Sequence, residues 1–269
     1  MLDSAIATAA TMLEQLRTGA VGARAPLREL PAECRPATLD DAYAIQSELS
    51  RRLANGPAGR TAGWKIGCTT EVMQAYLGIG HPCAGRLYAN QIRREHARLV
   101  AAEYLQLGLE CELAVSLAYD LEAGPEPFDA MHVESAVDCV YASVEVVEHR
   151  FVDFELAGAP SLTADDFFSA GAVIGEPVRF ADLPELGQLR GGFALNGAAP
   201  EHTGSGAAIL GAPLRALAWL ANHACAVGCP LRAGELLTLG SVVKTIYPAA
   251  GDTVTAQFDG LPTVRIDVV

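Results

Sequence analysis

The chain has no surplus of positive charge: 19 Lys and Arg stand against 32 Asp and Glu over 269 residues. Binding a nucleic-acid backbone rests on clustered Lys and Arg, so nucleic acid is excluded as a partner. The acidity says little about a small anionic substrate, whose binding depends on local groups. No Walker P-loop, G-x-G-x-x-G, H-E-x-x-H or G-x-S-x-G occurs. NTP hydrolysis, hydride transfer with a Rossmann cofactor and serine-nucleophile chemistry therefore lack their signatures. The seven cysteines include no C-x-x-C pair and are odd in number, which fits reduced thiols of a cytosolic protein better than a disulfide framework. No basic segment followed by an apolar core opens the chain, and no signal peptide is expected. The longest uncharged apolar tract, 216–231, contains Asn222 and His223 and is short for a bilayer. A cytoplasmic protein without membrane contact is the expectation, and a chain of this size buries enough surface to need no staples.

Helical patterns cover 2–17 and 39–54, the second opened by Thr38, Asp40 and Asp41 as capping residues. Asn55-Gly56-Pro57 breaks the pattern, and a small helical N-terminal domain is placed at 1–60, with the catalytic domain at 61–269. Beyond it, short apolar runs between Gly, Pro and Asp read as strands at 62–68, 85–88, 109–118, 171–175, 190–196, 235–239, 253–258 and 262–268. The last two flank Asp259-Gly260, a hairpin signal. Helices are predicted at 70–77, 131–140 and 213–227. Strands outnumber helices without alternating with them, so the expected class is α+β, a mixed β-rich core with peripheral helices rather than a doubly wound sheet.

Four segments could carry chemistry. In Glu110-Cys111-Glu112, strand geometry puts both carboxylates on one face. Adjacent carboxylates on an apolar segment repel and are costly to desolvate. A cation of the Mg²⁺ or Mn²⁺ type resolves both problems; a solvated strand end, or a Glu paired with an Arg, explains the pattern as well. Glu145 lies inside the apolar run 142–147 and is either a third ligand or the salt-bridge partner of Arg150 or another base, while Glu148 and His149 are expected to face solvent. Lys65, in Gly63-Trp64-Lys65-Ile66-Gly67, is either a substrate-binding or acid/base lysine or a snorkelling surface lysine. Gly240-Ser241, ending an apolar run, offers a backbone N–H and a hydroxyl to a carboxylate, or is an ordinary turn.

Taken in order, these segments resemble the fumarylacetoacetate hydrolase superfamily, in the branch of 2-oxopent-4-enoate (2-hydroxypentadienoate) hydratases and 4-oxalocrotonate decarboxylases. The set runs from Leu39-Asp40-Asp41-Ala42-Tyr43-Ala44-Ile45-Gln46 through the Lys65 segment, Glu110-x-Glu112, Val144-Glu145-Val146-Val147 with Arg150, Gly204-x-Gly206 and 218–222 to the 234–241 run. The resemblance implies a central β-roll with a small N-terminal helical region. It also implies Mg²⁺ or Mn²⁺ on Glu110, Glu112 and Glu145, and Lys65 beside a small 2-oxo or 2-hydroxy-dienoic acid. The activity implied is hydration to a 4-hydroxy-2-oxo acid in aromatic-compound catabolism. Decarboxylation or C–C hydrolysis of a related 2-oxo acid, or a catalytically silent metabolite-binding homologue, are the alternatives. A homo-oligomer, alone or with a pathway decarboxylase, is the implied assembly. One departure stands out: the hydratase branch carries an aspartate eighteen residues beyond the lysine, where this chain has Cys83. A thiol of ordinary pKa is a poor carboxylate substitute. Cys83 and Glu71 are therefore the further catalytic candidates and Arg86 a substrate-binding one, with His81 also nearby.

Overall fold

The computed structural model describes residues 1–20 and 22–269. In chain order the elements are α1 (Asp3–Thr18), α2 (Leu39–Ala54), β1 (Thr61–Gly67), α3 (Glu71–Tyr76), β2 (Cys83–Tyr88), β3 (Ile92–Arg94), β4 (His96–Leu99), β5 (Leu107–Leu117), α4 (Ala130–Glu134), β6 (Val137–Glu148), α5 (Phe154–Ala164), β7 (Ser169–Ile174), β8 (Val178–Arg179), β9 (Arg190–Leu195), β10 (Thr203–Ser205), α6 (Pro213–Ala226), β11 (Leu236–Ser241), β12 (Thr253–Phe258) and β13 (Leu261–Val268). They form the expected α+β fold, with two mixed sheets and helices outside them. The larger sheet runs β2-β1-β11-β5-β6-β7-β3, with β8 added on β6; the smaller runs β10-β9-β12-β13-β4.

At the centre lie β5 and β6, antiparallel and paired from Leu107↔Glu148 to Leu117↔Val137. Their apolar residues are buried on both faces, as a strand covered on both sides requires. The chain steps from one sheet to the other at Glu95, whose φ of 59° turns it out of β3, beside β7, into β4, beside β13. The Asp259-Gly260 hairpin forms, with Phe258 opposite Leu261.

Thr38 caps α2 in a reciprocal capping box with Asp41. The helix buries Ala42, Ile45, Leu49 and Leu53, a helical spacing, together with Gln46. The Gln46 amide donates to the Ala84 and Thr163 carbonyls at 2.8 Å each. Helices α1 and α2 share one apolar cluster with Cys68, Cys83, Tyr88, Leu162 and Phe167, so the helical layer sits over the β1–β2 end of the larger sheet.

The predicted helix at 131–140 is corrected to five residues, Ala130–Glu134. From Val137 the chain belongs to β6 because pairing with β5 along its whole length outweighs the local pattern. Helix α5 carries no sequence prediction. Gly158 (φ 70°) and Pro160 interrupt it, which hides the 3.6-residue period. All seven cysteines are free thiols. No helix among the described residues is long and apolar enough to cross a membrane.

Candidate functional site

Four adjacent strands, β1, β11, β5 and β6, bring the site together. Glu110 and Glu145 are direct cross-strand partners, Lys65 lies opposite Thr238, and Glu112 lies opposite Ser241. One oxygen from each of Glu110, Glu112 and Glu145 lies within 4.8 Å of the others. Glu112 and Glu145 are fully buried, and Lys65 is 1 % exposed. The Lys65 Nζ lies 3.1 Å from Glu145 Oε1 and donates to the Phe167 carbonyl at 2.6 Å.

Thr245 Oγ1 donates to Glu110 Oε1 at 2.6 Å, and the Gly240 N–H to Glu112 Oε2 at 3.3 Å. Gly240 holds φ 124°, and a Cβ there would meet Thr69 Oγ1 at 2.4 Å, so only glycine presents its amide this way. Glu112 Oε1 and Glu145 Oε2 have no hydrogen-bond partner, and Glu145 Oε1 has only the Lys65 ammonium at 3.1 Å. Buried carboxylate oxygens left bare are rare and costly. Burial, then the charges of Glu145 and Glu110, push the Glu112 carboxyl well above the usual carboxylate range. Burial raises Glu145 to about 7 against the pull of Lys65. Burial also works against the Lys65 charge, but the three carboxylates outweigh it and hold the ammonium above its ordinary value. The three side chains thus form an all-oxygen donor set with orphaned atoms, which a hard divalent cation would satisfy.

A cavity of about 620 Å³ opens onto this group and is lined by Lys65, Glu110, Thr69, Ser241 and Thr245 among others. Phe167 and Phe168, at the end of the segment Asp165–Phe168, form part of its wall. Asp166, Phe167 and Phe168 have φ of 52°, 48° and 70°, a left-handed run that costs on the order of 1–3 kcal/mol per residue. Buried ion pairs hold it in place: Arg17 reaches Asp166 at 3.0 Å and Asp165 at 3.3 Å, and Arg150 reaches Asp165 at 2.5 Å and Glu148 at 3.0 Å. Tyr88 and the Arg86 N–H donate to the Asp166 carboxylate. The same loop presents the carbonyl that grips Lys65, so α1 reaches the site through Arg17.

Several sequence expectations change. Of the bases open to Glu145, Lys65 rather than Arg150 is its neighbour. Glu148 and His149 do not face solvent: Glu148 is buried on Arg150 and Arg24, and His149 lines the cavity. Glu71 stands exposed at the first turn of α3, outside the cavity lining, because Thr70 caps that helix and turns the glutamate outward. Arg86 pairs with Trp64 across β1 and β2, so it takes the face opposite Lys65, its guanidinium 3.2 Å from the Trp64 ring centroid. Cys83 is on the Lys65 face but sealed into the apolar cluster with Cys68, Leu162 and Phe167, and burial pushes its thiol pKa up. Gly240 spends its N–H on Glu112, and Ser241, although it lines the cavity, turns its hydroxyl to the Val243 carbonyl at 2.7 Å. Thr245 and the Phe167 carbonyl carry no prediction. Thr245 lies four residues beyond Ser241, past the end of the 234–241 run, so only its hydroxyl could have flagged it. The carbonyl has no sequence signature beyond the unusual pairing of Asp165-Asp166 with Phe167-Phe168.

A buried lysine ringed by three convergent carboxylates on the floor of a cavity marks an enzyme site rather than a packed core. Residues 88–269 match the fumarylacetoacetate (FAA) hydrolase C-terminal family, and the chain belongs to that family. It is 34 % identical to the 2-keto-4-pentenoate hydratase of Burkholderia vietnamiensis (strain G4 / LMG 22486), covering 95 % of each chain. It is 36 % identical to the protein of the same name from Paraburkholderia phymatum, covering 90 % of this chain and 89 % of the other. Among solved structures, it superposes on 4-oxalocrotonate decarboxylase from Pseudomonas putida G7, complexed with magnesium and adipate, with a TM-score of 0.90. That alignment has 24 % identity and covers 100 % of this chain and 99 % of that one.

Proposed function

We propose that this protein is a divalent-metal-dependent hydro-lyase. It adds water to a 2-hydroxypenta-2,4-dienoate-type acid to give a 4-hydroxy-2-oxo acid, in the breakdown of aromatic compounds. The observation that carries the reading is the convergence of Glu110, Glu112 and Glu145 around Lys65, with buried carboxylate oxygens left unpartnered beside a cavity that Lys65 and Glu110 line. The names of the relatives support the substrate class. Glu110, Glu112 and Glu145 would hold Mg²⁺ or Mn²⁺, which when bound supplies Lewis-acid stabilisation of negative charge developing on the substrate's C1–C2 oxygens.

The remaining work falls to the chain's own groups. In the reaction a proton leaves the C2 hydroxyl and one is gained at C5, giving a 3-enone. The water oxygen then bonds to C4 and a proton is added at C3. Lys65 is held as an ammonium by its neighbours, with one N–H committed to the Phe167 carbonyl, so Nζ is a fixed proton donor at the cavity floor. Thr245 fixes the Glu110 carboxylate, and the Gly240 amide fixes that of Glu112. Cys83, buried with a raised thiol pKa, supplies no base. That leaves room for a second reading, decarboxylation or C–C hydrolysis of a related 2-oxo acid. The protein acts in the cytoplasm as a homo-oligomer, alone or together with a decarboxylase.

The test is incubation of the purified protein with Mg²⁺ or Mn²⁺ and fresh 2-hydroxypenta-2,4-dienoate, following the dienol chromophore. Metal-dependent formation of 4-hydroxy-2-oxopentanoate supports hydration. Release of CO₂ from an oxalocrotonate without hydration of the dienoate replaces it with decarboxylation. Metal binding without turnover of any of these acids leaves a silent homologue.

A further inference from the structure

Of the charged cluster, Lys65 and Glu110 line the cavity. Much of the rest of the lining is aromatic: Phe154, Phe167, Phe168, His149 and Tyr247, with Met73 among them. These rings form one continuous surface. His149 stacks on Phe168 with centroids 4.9 Å apart, Phe154 meets Phe168 edge-on at 6.0 Å, and Tyr247 lies 5.5 Å from His149. The wall adjoins the glutamates directly. Tyr247 follows two residues after Thr245, which holds Glu110, and His149 follows Glu145 on the same stretch of chain. The wall offers little polarity, since His149 Nε2 already faces the Tyr247 hydroxyl at 3.1 Å.

Cationic groups are scarce in this cavity. Among the described residues lining it, Lys65 is held by Glu145 and the Phe167 carbonyl, and Lys244 is exposed. Burial lowers the His149 pKa, which keeps its ring neutral. A second carboxylate at the far end of a substrate would therefore be desolvated against aromatic rings without a buried partner. A volume of about 620 Å³ is also far more than a five-carbon acid fills.

Resting on the metal-site reading above, we infer that this site takes 2-oxo or 2-hydroxy-dienoic acids bearing an uncharged apolar substituent beyond C5, alkyl or aryl, seated against Phe154, Phe168, His149 and Tyr247. It discriminates against a terminal second carboxylate. Phe168 and Phe154 are the specificity-determining residues.

Calorimetric titration of the Mn²⁺-loaded protein with saturated 2-oxo acids tests this without requiring turnover. The probes are 2-oxobutanoate, 2-oxooctanoate and 2-oxoadipate. The expected result is 2-oxooctanoate binding at least about tenfold more tightly than 2-oxobutanoate, since two buried methylenes are already worth about that factor. 2-Oxoadipate should bind more weakly than 2-oxooctanoate. Phe154→Ala should shrink the chain-length gain while leaving the 2-oxobutanoate affinity of the parent, which also shows that the variant is folded, and Phe168→Ala should shrink the gain as well. Metal-dependent binding in which 2-oxoadipate matches or exceeds 2-oxooctanoate, or a chain-length gain untouched in both variants, overturns the tail site alone. If no 2-oxo acid binds in a Mn²⁺-dependent way, the metal-site reading falls and the tail site with it.

Discussion

Replacing Glu112 by glutamine should stabilise the metal-free protein and at the same time remove its response to metal. The side chain is fully buried, one oxygen has no partner, and two further carboxylates converge on it. Glutamine keeps the shape, still accepts from the Gly240 N–H, and is neutral without taking up a proton, whereas burial and its neighbours hold the Glu112 carboxyl well above the usual carboxylate range. The metal-free Tm should therefore rise, by about 2–4 °C for each kcal/mol of that burial cost removed in a chain of this size. Metal acts in the opposite direction. At 100 times its Kd, a cation binding only the folded state adds about 2.7 kcal/mol, or roughly 5–10 °C; that increment should vanish in the variant. Differential scanning fluorimetry in EDTA and then in excess Mn²⁺ reads both effects.

The pH dependence supplies a third sign. Glu112 and Glu145 both have raised folded pKa values, Glu145 from 4.5 to about 7. Between the unfolded value and the folded one, the native state binds more protons than the unfolded chain. Metal-free stability is therefore lost as pH rises through that window, by at most about 1.4 kcal/mol per pH unit for each group. Between pH 7 and about pH 5 the metal-free parent should gain on Glu112→Gln, and the metal-loaded parent should not. A variant that keeps the full Mn²⁺ increment, or melts below the parent in EDTA, would refute the reasoning.

Lys65→Met should keep the Mn²⁺-induced thermal shift but lose about 10²–10⁴ in kcat; unimpaired turnover removes Lys65 from the chemistry. Thr245→Val deletes the hydrogen bond that orients Glu110 and should weaken Mn²⁺ binding about 10–100-fold, measured by titration; an unchanged Kd would show that Glu110 is positioned by other groups. Arg17→Met leaves Asp165 and Asp166 buried with one cation fewer and should cost about 3–5 kcal/mol, read from the urea midpoint. A loss well below that would show that Arg150 and Tyr88 hold the strained loop without α1.

Much of this was legible in the residues. Period-two alternation and Gly or Asp punctuation located eight strands, because a strand's side chains follow the pleat wherever it pairs. The capping box at Thr38 marked the start of α2 for an equally local reason. What failed was non-local. The 131–140 pattern looked helical until β5 offered a partner along the whole of β6. Gly158 and Pro160 disguised α5. Arg86 and Glu71 were proposed from nearness in sequence to Lys65, yet strand alternation sends Arg86 to the other face and a helix cap turns Glu71 to solvent.

By itself the sequence determined that Glu110 and Glu112 share a face, since residues two apart on a strand must. It also placed Lys65 and Glu145 within apolar runs, where a charge needs a partner. Which partner was a matter for the tertiary structure alone. The strand order β1-β11-β5-β6 puts Lys65 rather than Arg150 against Glu145. A left-handed loop pinned by Arg17, nearly 150 residues away in the chain, delivers the Phe167 carbonyl to the lysine. Pairings across such separations are chosen by sheet register and burial, which no local spacing encodes.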